Sequence, residues 1–309
     1  MKRLVVDTDP GVDDALAIMM ACAHPDTKLH AITTVAGNVS LDYTSANACK
    51  LVEFLGLDTP VYVGCAEPLM DTPNEDAASF HGSDGLGDAG VPPASVKPNP
   101  GHASQAICSI ADEYTEAVDL VALGPLTNVA IALMLDPDLP EKYRSLTIMG
   151  GAIRAQGNTA NYTAEYNFFR DPDAAKIVLT RWPMVTIVDW ETTLAYPIGT
   201  NDLTRFFAMK SKRADFFRRI SQVTLDRIES IIGDRVFLAA DPIAMATVLD
   251  PDVASTIEQR YVAVENTGGL SRGQSMVDWM GLTGKTPNAS LVTEISTERF
   301  LELIEAALT

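Results

Sequence analysis

The sequence predicts an α/β protein with a mostly parallel central sheet flanked by helices. Short apolar runs, typical of buried strands, recur along the chain, and amphipathic helical stretches lie between several of them. Strands that alternate with helices form parallel sheets. No linker, charge block or internal repeat divides the 309 residues, of which 47% are hydrophobic. We therefore expect one large domain over residues 1–309.

The elements follow from these patterns in chain order. The runs predicted as strands are 4–7, 29–35, 61–63, 120–123, 146–149, 185–188 and 261–264. The stretches predicted as helices are 41–55, 104–114, 128–135, 171–181 and 242–249, with a first helix from Ala15 and a long mixed stretch at 201–232. Two segments, 70–100 and 226–236, are predicted as loops over the sheet that are either lids or solvated surface excursions, and the second is alternatively a mobile helix end.

Four carboxylates lie where the first strand meets the first helix. They are Asp7, Asp9, Asp13 and Asp14, and no Lys, Arg or His occurs between residues 4 and 23. Like charges this close raise each other's pKa, so they stay ionised together only in solvent or around a cation. Acids also cap helices, but capping gives no reason for Asp7 and Asp9 to precede the turn. We therefore predict a metal site in the ligand crevice of the sheet. Oxygen-only ligands favour Ca²⁺ or Mg²⁺ over Zn²⁺.

Composition restricts the partners. The formal net charge of −18 disfavours nucleic acid and anionic membranes and suits a neutral ligand or a cation. Only three apolar residues separate Arg3 from Asp7, too few for a signal-peptide core, and no stretch approaches the length of a membrane span. We expect a cytoplasmic protein without nucleic-acid or membrane partners.

Residues 7–15, which contain the acidic cluster, read DTDPGVDDA. This motif resembles the signature of the nucleoside hydrolases of the inosine-uridine preferring type, calcium-dependent enzymes that split ribonucleosides into ribose and free base. An isolated DxDPG would be weak evidence, but similar segments follow in order along nearly the whole chain. They are 31–39 (AITTVAGNV), 81–82 (HG) with 85–87 (GLG), 124–128 (GPLTN), 149–151 (MGG), 164–167 (AEYN), 171–175 (DPDAA), 241–242 (DP) and 277–279 (VDW).

The resemblance implies a nucleoside hydrolase-like fold with a Rossmann-like core, a small ribonucleoside substrate, a role in purine or pyrimidine salvage, and a homo-oligomer, dimer or tetramer. It also implies four protein ligands for Ca²⁺, namely the side chains of Asp9, Asp14 and Asp241 and the carbonyl of Leu123. Their positions suit this role, because Leu123 ends a predicted strand and Asp241 precedes a helix that starts with proline. In the implied reaction Asp9 takes the proton of a Ca²⁺-bound water, which attacks the anomeric carbon.

Substrate recognition is assigned by the same resemblance. The implied substrate-binding residues are Asp13, Asn38, Asn158, Glu165 and Asn167. Because the loop 152–163 is a residue or two longer than in common members, Asn158 and Asn161 compete for one role, and we choose Asn158 because it follows glycine. A 2′-deoxynucleoside would leave buried polar groups unpaired at a cost of about 1 to 3 kcal/mol each, so it should react poorly.

One position departs from the resemblance. Before the last metal-binding aspartate, many members carry a His that protonates the leaving base and others a Trp that stacks on it, but this chain has Ala240. Another group must activate the base, and we rank His81 first as the catalytic donor. The alternatives are Arg235, Asp234 or Tyr166 as donors, and Phe80 or Trp190 as stacking partners.

Two other functions compete with this interpretation. A haloacid-dehalogenase-type phosphatase also opens with a DxD motif, but that motif continues differently from the Pro10-Gly11 and Asp13-Asp14 of this chain. A catalytically altered protein that only binds ribose or a nucleoside would keep the metal and sugar residues. The retained Asp9 favours catalysis, because metal binding alone needs no general base.

Overall fold

The computed structural model describes residues 1–70 and 77–309. The strands are β1 (Lys2–Thr8), β2 (Thr27–Thr34), β3 (Val61–Val63), β4 (Asn99–His102), β5 (Val118–Ala122), β6 (Ser145–Met149), β7 (Val185–Val188), β8 (Ala254–Arg260), β9 (Val262–Val264), β10 (Ser275–Val277) and β11 (Ala289–Ile295). The helices are α1 (Val12–Ala23), α2 (Leu41–Leu55), α3 (Ala78–His81), α4 (Ala103–Glu113), α5 (Thr127–Leu135), α6 (Leu139–Lys142), α7 (Tyr166–Arg170), α8 (Pro172–Arg181), α9 (Trp190–Ala195), α10 (Thr200–Phe207), α11 (Lys212–Ile220), α12 (Gln222–Ile232), α13 (Ala240–Leu249) and α14 (Thr297–Leu308), with a 3₁₀ turn at Pro251–Val253.

Nine strands form one sheet in the order β4-β3-β2-β1-β5-β6-β7-β11-β8. Neighbours pair in parallel except β11 and β8, and β9 pairs with β10 as a separate antiparallel ribbon. The predicted α/β class with a mostly parallel sheet is confirmed. In this register Asp7 of β1 lies beside Thr33 of β2 and Ala122 of β5. The residues that follow these three strands therefore meet at one edge of the sheet.

Helices cover both faces of the sheet, because alternate strand residues point to opposite sides. Leu4 and Val6 pack into one apolar cluster with α1, α13 and α14, while Val5 packs into the other with α4, α5 and α8. Helix α1 is apolar nearly all round and nearly every residue of it is buried. This packing fixes the N-terminus of α1, and with it the acidic turn, at the centre of the sheet edge.

Several elements differ from the sequence prediction. The run at 261–264 gives β9, which lies outside the large sheet, and the mixed stretch at 201–232 gives α10, α11 and α12. The prediction named neither β11, which inserts between β7 and β8, nor α14. The segment predicted as a lid at 70–100 lies partly outside the described residues, at 71–76. Within the described ranges no helix is both long and apolar enough to cross a bilayer.

Candidate active site

The turn after β1 brings the predicted acids to the centre of the sheet edge. Asp7 is still in the strand, and its Oδ1 accepts hydrogen bonds from Thr33 (2.7 Å) and Asn128 (2.8 Å). Burial raises the pKa of Asp7 to about 7, and its Oδ2 has no partner within the part of the chain that the structure describes. Asp14, in the first turn of α1, accepts hydrogen bonds from the Gly11 amide at 2.8 Å and from the Thr8 hydroxyl. Asp14 is thus both a helix cap and a member of the acidic cluster.

Three carboxylates converge across two helices. Ligand atoms of Asp13 and Asp14 on α1 and of Asp241 on α13 all lie within 4.8 Å of one another. Burial, followed by the charges of the neighbouring aspartates, raises the pKa of Asp241 well above its usual value. Burial raises the pKa of Asp13 to about 6, and its Oδ1 is buried without a hydrogen-bond partner among the described residues. An unpartnered carboxylate oxygen inside a cluster of like charges is the environment that a hard cation stabilises.

Asp9 is held beside this cluster by the segment after β2. Its Oδ2 accepts the amide of Asn38 at 2.7 Å, and the Asn38 side chain donates to the Asp9 carbonyl (3.2 Å) and to Asp14 (3.1 Å). Burial and then the charge of Asp14 raise the pKa of Asp9 well above its usual value. The side-chain ligands predicted from the sequence were Asp9, Asp14 and Asp241, whereas the carboxylates that converge in the structure are those of Asp13, Asp14 and Asp241. Asp9 nevertheless belongs to the same charged group.

Leu123 lies immediately beyond β5, as its predicted role requires. Its carbonyl accepts a hydrogen bond from the Asn167 side chain at 2.8 Å, and Leu123 lines the pocket in front of the acids. A carbonyl oxygen has two lone pairs, so this bond leaves one of them for a further ligand. The oxygen donors of the cluster and this carbonyl together fit a hard divalent cation.

The pocket has a polar end beside the acids. Glu165 caps α7, accepting the amides of Asn167 (2.7 Å), Gly151 (2.9 Å) and Phe168 (3.2 Å), and burial raises its pKa to about 7. Asn167 also donates to the Met149 carbonyl at 3.1 Å. The structure brings all the predicted substrate-binding residues to the pocket wall, namely Asp13, Asn38, Asn158, Glu165 and Asn167.

The two candidate asparagines of the 152–163 loop differ in position. Asn158 lines the pocket. Asn161 instead fixes its own loop, because its Oδ1 accepts the amides of Thr163 (3.2 Å) and Ala164 (3.1 Å). Its Nδ2 donates to the Arg272 carbonyl (2.7 Å) and so anchors the loop to a separate segment. This geometry favours Asn158 for a contact with ligand.

The other end of the pocket is mainly apolar. Its wall there is formed by Phe80, Trp190, Ile228, Phe237, Leu238 and Ala240. Sequence reasoning missed Ile228, Phe237 and Leu238, together with Met149 and Thr224, as pocket residues. The only available signal was the four-residue spacing of Thr224 and Ile228, which puts both on one face of α12. An aromatic base would fit this wall by stacking and by burial of apolar surface.

His81 is a titratable side chain that lines the same pocket. Its Nδ1 accepts the Val12 amide at 3.1 Å and lies 3.7 Å from Asp13 Oδ1, and the ring is 13% exposed. Burial lowers its pKa to about 4, so the imidazole is neutral at pH 7. Because Nδ1 accepts a hydrogen bond, the neutral ring carries its proton on Nε2.

The other predicted donors are placed differently. Tyr166 lines the pocket, but its hydroxyl donates to the Gly37 carbonyl at 2.7 Å. Arg235 forms ion pairs with Asp226 (2.6 Å) and Glu229 (2.8 Å), and neither it nor Asp234 is among the described residues that line the pocket. The structure therefore favours His81 over Arg235 and Asp234 as a group that can reach a bound base.

The mostly parallel sheet, the acid cluster and the half-polar pocket at the strand ends define an α/β protein whose candidate active site can hold a metal ion. A family model described as inosine-uridine preferring nucleoside hydrolase matches residues 4–302. Uridine nucleosidase 1 of Arabidopsis thaliana is 34% identical, covering 99% of this chain and 93% of that one. The pyrimidine-specific ribonucleoside hydrolase RihA of Salmonella typhimurium is 33% identical, covering 99% and 97%. A solved plant nucleoside hydrolase, the PpNRh1 enzyme, superposes with a TM-score of 0.92 at 30% identity, covering 100% and 99%.

The chain belongs to the inosine-uridine preferring nucleoside hydrolase family. It is a hydrolase that acts on N-glycosyl bonds, and the resemblance stated from its motifs is confirmed. The phosphatase interpretation is discarded, because the similarity extends over nearly the whole chain rather than over one DxD motif.

Proposed function

We propose that this chain hydrolyses the N-glycosidic bond of ribonucleosides to ribose and free base, with Ca²⁺ as its metal. The observation that carries the proposal is the pocket itself. Its polar end combines a convergent aspartate cluster with buried amide and carboxylate side chains, and its other end is an aromatic and aliphatic wall. A sugar with several hydroxyls suits the first end, and a planar base suits the second.

The proposed metal ligands are Asp9, Asp14, Asp241 and the carbonyl of Leu123, with Asp13 close enough to contribute. A Ca²⁺ ion held by these residues would supply a Lewis acid that lowers the pKa of a neighbouring water. Asp9 is the proposed general base that accepts a proton from the attacking water. The Asn38 amide, 2.7 Å from Asp9 Oδ2, would keep that carboxylate in position during the transfer.

The remaining acids would stabilise the transition state. As the glycosidic bond lengthens, positive charge develops on the ribose ring, and buried carboxylates beside it lower the energy of that charge. Asp13, Asn158, Glu165 and Asn167 are the proposed ligands of the ribose hydroxyls. Glu165 and Asn167 are already fixed by backbone hydrogen bonds, so little ordering is needed when the sugar binds.

His81 is the proposed group that activates the leaving base. Its Nδ1 is engaged by the Val12 amide, so its Nε2–H is the donor that remains for a base in the pocket. Stacking of the base against the aromatic wall, which includes Phe80 and Trp190, would help to stabilise it as it departs.

Uridine is the first substrate to test, because two relatives are named for uridine and for pyrimidine ribonucleosides. The calcium-loaded protein is incubated with uridine, cytidine, inosine and adenosine, and free ribose is measured. Release by wild type that falls by at least about a hundredfold in Asp9→Asn supports the proposal. Asp136→Asn is the matched control, because Asp136 caps α5 and pairs with Lys142 rather than lining the pocket.

Equal ribose release by wild type and Asp9→Asn would refute the role of Asp9, and no release from any ribonucleoside would refute the proposed function.

We also propose that the chain forms one domain over residues 1–309 and a homo-oligomer, and that it is a protein of the cytoplasm. The first is supported by the large sheet, which takes strands from β1 at one end of the chain to β11 near the other.

A further inference from the structure

The loop between β6 and α7, residues 152–164, presents Asn158 to the pocket. Two backbone hydrogen bonds close its far half, from the Gly157 amide to the Tyr162 carbonyl (2.9 Å) and from the Asn158 amide to the Ala164 carbonyl (3.0 Å). A Cβ at position 157 would lie 2.1 Å from the Ala164 oxygen, so this approach requires glycine. These contacts shape the tip of the loop, but they do not attach it to the rest of the protein.

Asn161 and Thr163 attach the C-terminal half of the loop to the carbonyls of Arg272 (2.7 Å) and Leu270 (3.2 Å), and Glu191 attaches its N-terminal half. The Oε1 atom of Glu191 accepts the amides of both Arg154 and Gln156, each at 2.9 Å. Between them lies Ala155, which has a φ of +62°, a left-handed conformation that disfavours residues with a Cβ. Amides that converge on one anion around a left-handed residue form an anion-binding nest. In this loop the anion is a side chain of the protein itself.

Glu191 is fixed from its own side as well. Asp189 caps α9 and accepts the Glu191 amide at 2.7 Å and the Thr192 amide at 3.1 Å. Burial and then the charge of Glu191 raise the pKa of Asp189 to about 7. The residue before Glu191 is Trp190, whose amide donates to the Gly151 carbonyl at 3.0 Å and whose side chain lines the apolar end of the pocket. The N-terminus of α9 therefore fixes both Trp190 and the loop that carries Asn158.

We propose that Glu191 is a positioning residue that fixes the position of Asn158 in the pocket relative to Trp190, which lines the apolar end. The inference rests on the proposed function, because the contact between Asn158 and ribose belongs to that proposal. Glu191 is not among the described residues that line the pocket. Its carboxylate acts through the two loop amides, whose charge-assisted hydrogen bonds hold Ala155 in a conformation that it would otherwise leave.

The test is a double-mutant cycle between Glu191→Ala and Asn158→Ala. We expect Glu191→Ala alone to lower kcat/KM for uridine by roughly tenfold to a hundredfold, since a displaced binding group loses its alignment with the sugar. In the Asn158→Ala background, the same change should cost less than about twofold, because nothing remains for it to position. Glu191→Gln keeps an oxygen acceptor and should lie between wild type and Glu191→Ala.

Two further measurements report on the loop independently of turnover. Hydrogen exchange of peptides covering 152–164 should become faster in Glu191→Ala. Adding Ala155→Gly to Glu191→Ala should restore part of kcat/KM, because glycine keeps a positive φ without a Cβ penalty. The matched control is Glu53→Ala, since Glu53 also accepts two loop amides, from Ser95 (2.7 Å) and Val96 (3.2 Å), but does not line this pocket.

Each result decides the inference. Additive losses in the cycle, wild-type kcat/KM in Glu191→Ala, or an equal loss in Glu53→Ala would overturn it. Non-additive losses with normal Glu53→Ala activity would support it. Failure of the proposed function is separately visible, because wild type itself would then neither release ribose nor bind it in a calorimetric titration, and the role of Glu191 would fall with it.

Discussion

Gly37→Ala should disable the enzyme through one contact. A Cβ at position 37 would lie 2.0 Å from Asp9 Oδ2 and 2.9 Å from Pro125 Cδ. Since real Cβ atoms do not approach closer than 3.0 Å, the Asp9 carboxylate must move by about 1 Å, and the proline ring blocks relief on the other side. A displacement of that size at a reacting group costs on the order of a hundredfold in rate. We expect a loss of that order in kcat/KM for uridine, measured as ribose release.

The control for this substitution is Gly199→Ala. Gly199 precedes α10 with a φ of −74°, and an added Cβ there meets nothing within 4 Å. Both variants should show near-native circular dichroism, and Gly199→Ala should keep wild-type activity. If Gly37→Ala keeps kcat/KM within about threefold of wild type while folded, Asp9 either tolerates displacement or is not the base, and the reasoning is refuted.

Three other predictions follow from the structure. Without divalent cations, the free energy of unfolding should fall as pH rises from about 4 to above 7, because Asp7 and Asp13, with pKa values of about 7 and 6, keep protons that the unfolded chain has released. For Asp7 alone the loss is on the order of 4 kcal/mol, and urea denaturation in EDTA should show Ca²⁺ restoring more stability at pH 8 than at pH 5. His81→Ala should lower kcat/KM for uridine by about tenfold to a hundredfold but affect p-nitrophenyl riboside much less, since the neutral imidazole acts through a hydrogen bond from Nε2–H to the departing base, which a nitrophenolate leaving group does not need. Phe217→Ala should cost about 3 to 5 kcal/mol in urea denaturation, because Phe217 is fully buried against the rings of Phe207 and Phe237.

Strong local patterns were enough to predict the fold and the position of the acids. The runs at 61–63 and 185–188 and the helix at 41–55 have the predicted bounds, because apolar periodicity and terminal turn residues agree there. The acidic turn could be placed at the sheet edge because an apolar strand and an apolar helix leave it no other location.

Elements that depend on distant partners were not predictable in the same way. Strand β11 alternates apolar and polar residues weakly, and its place between β7 and β8 depends on contacts made from the far end of the chain. The apolar pocket wall joins residues from α3, α9, α12 and the segment before α13, which the sequence separates widely. Only the topology shows that Ile228 and Leu238 face the same cavity as Trp190.

Capping and metal binding are not alternatives for the acidic turn. Asp14 accepts the Gly11 amide and the Thr8 hydroxyl, and Asp9 accepts the Asn38 amide, so each carboxylate has hydrogen bonds that favour its charged form. Burial and mutual repulsion still dominate, because the pKa values of both remain raised. The hydrogen bonds therefore set where the oxygens point, while the excess negative charge sets what they bind. A cluster that is oriented by neutral donors but not neutralised by them keeps its affinity for a cation.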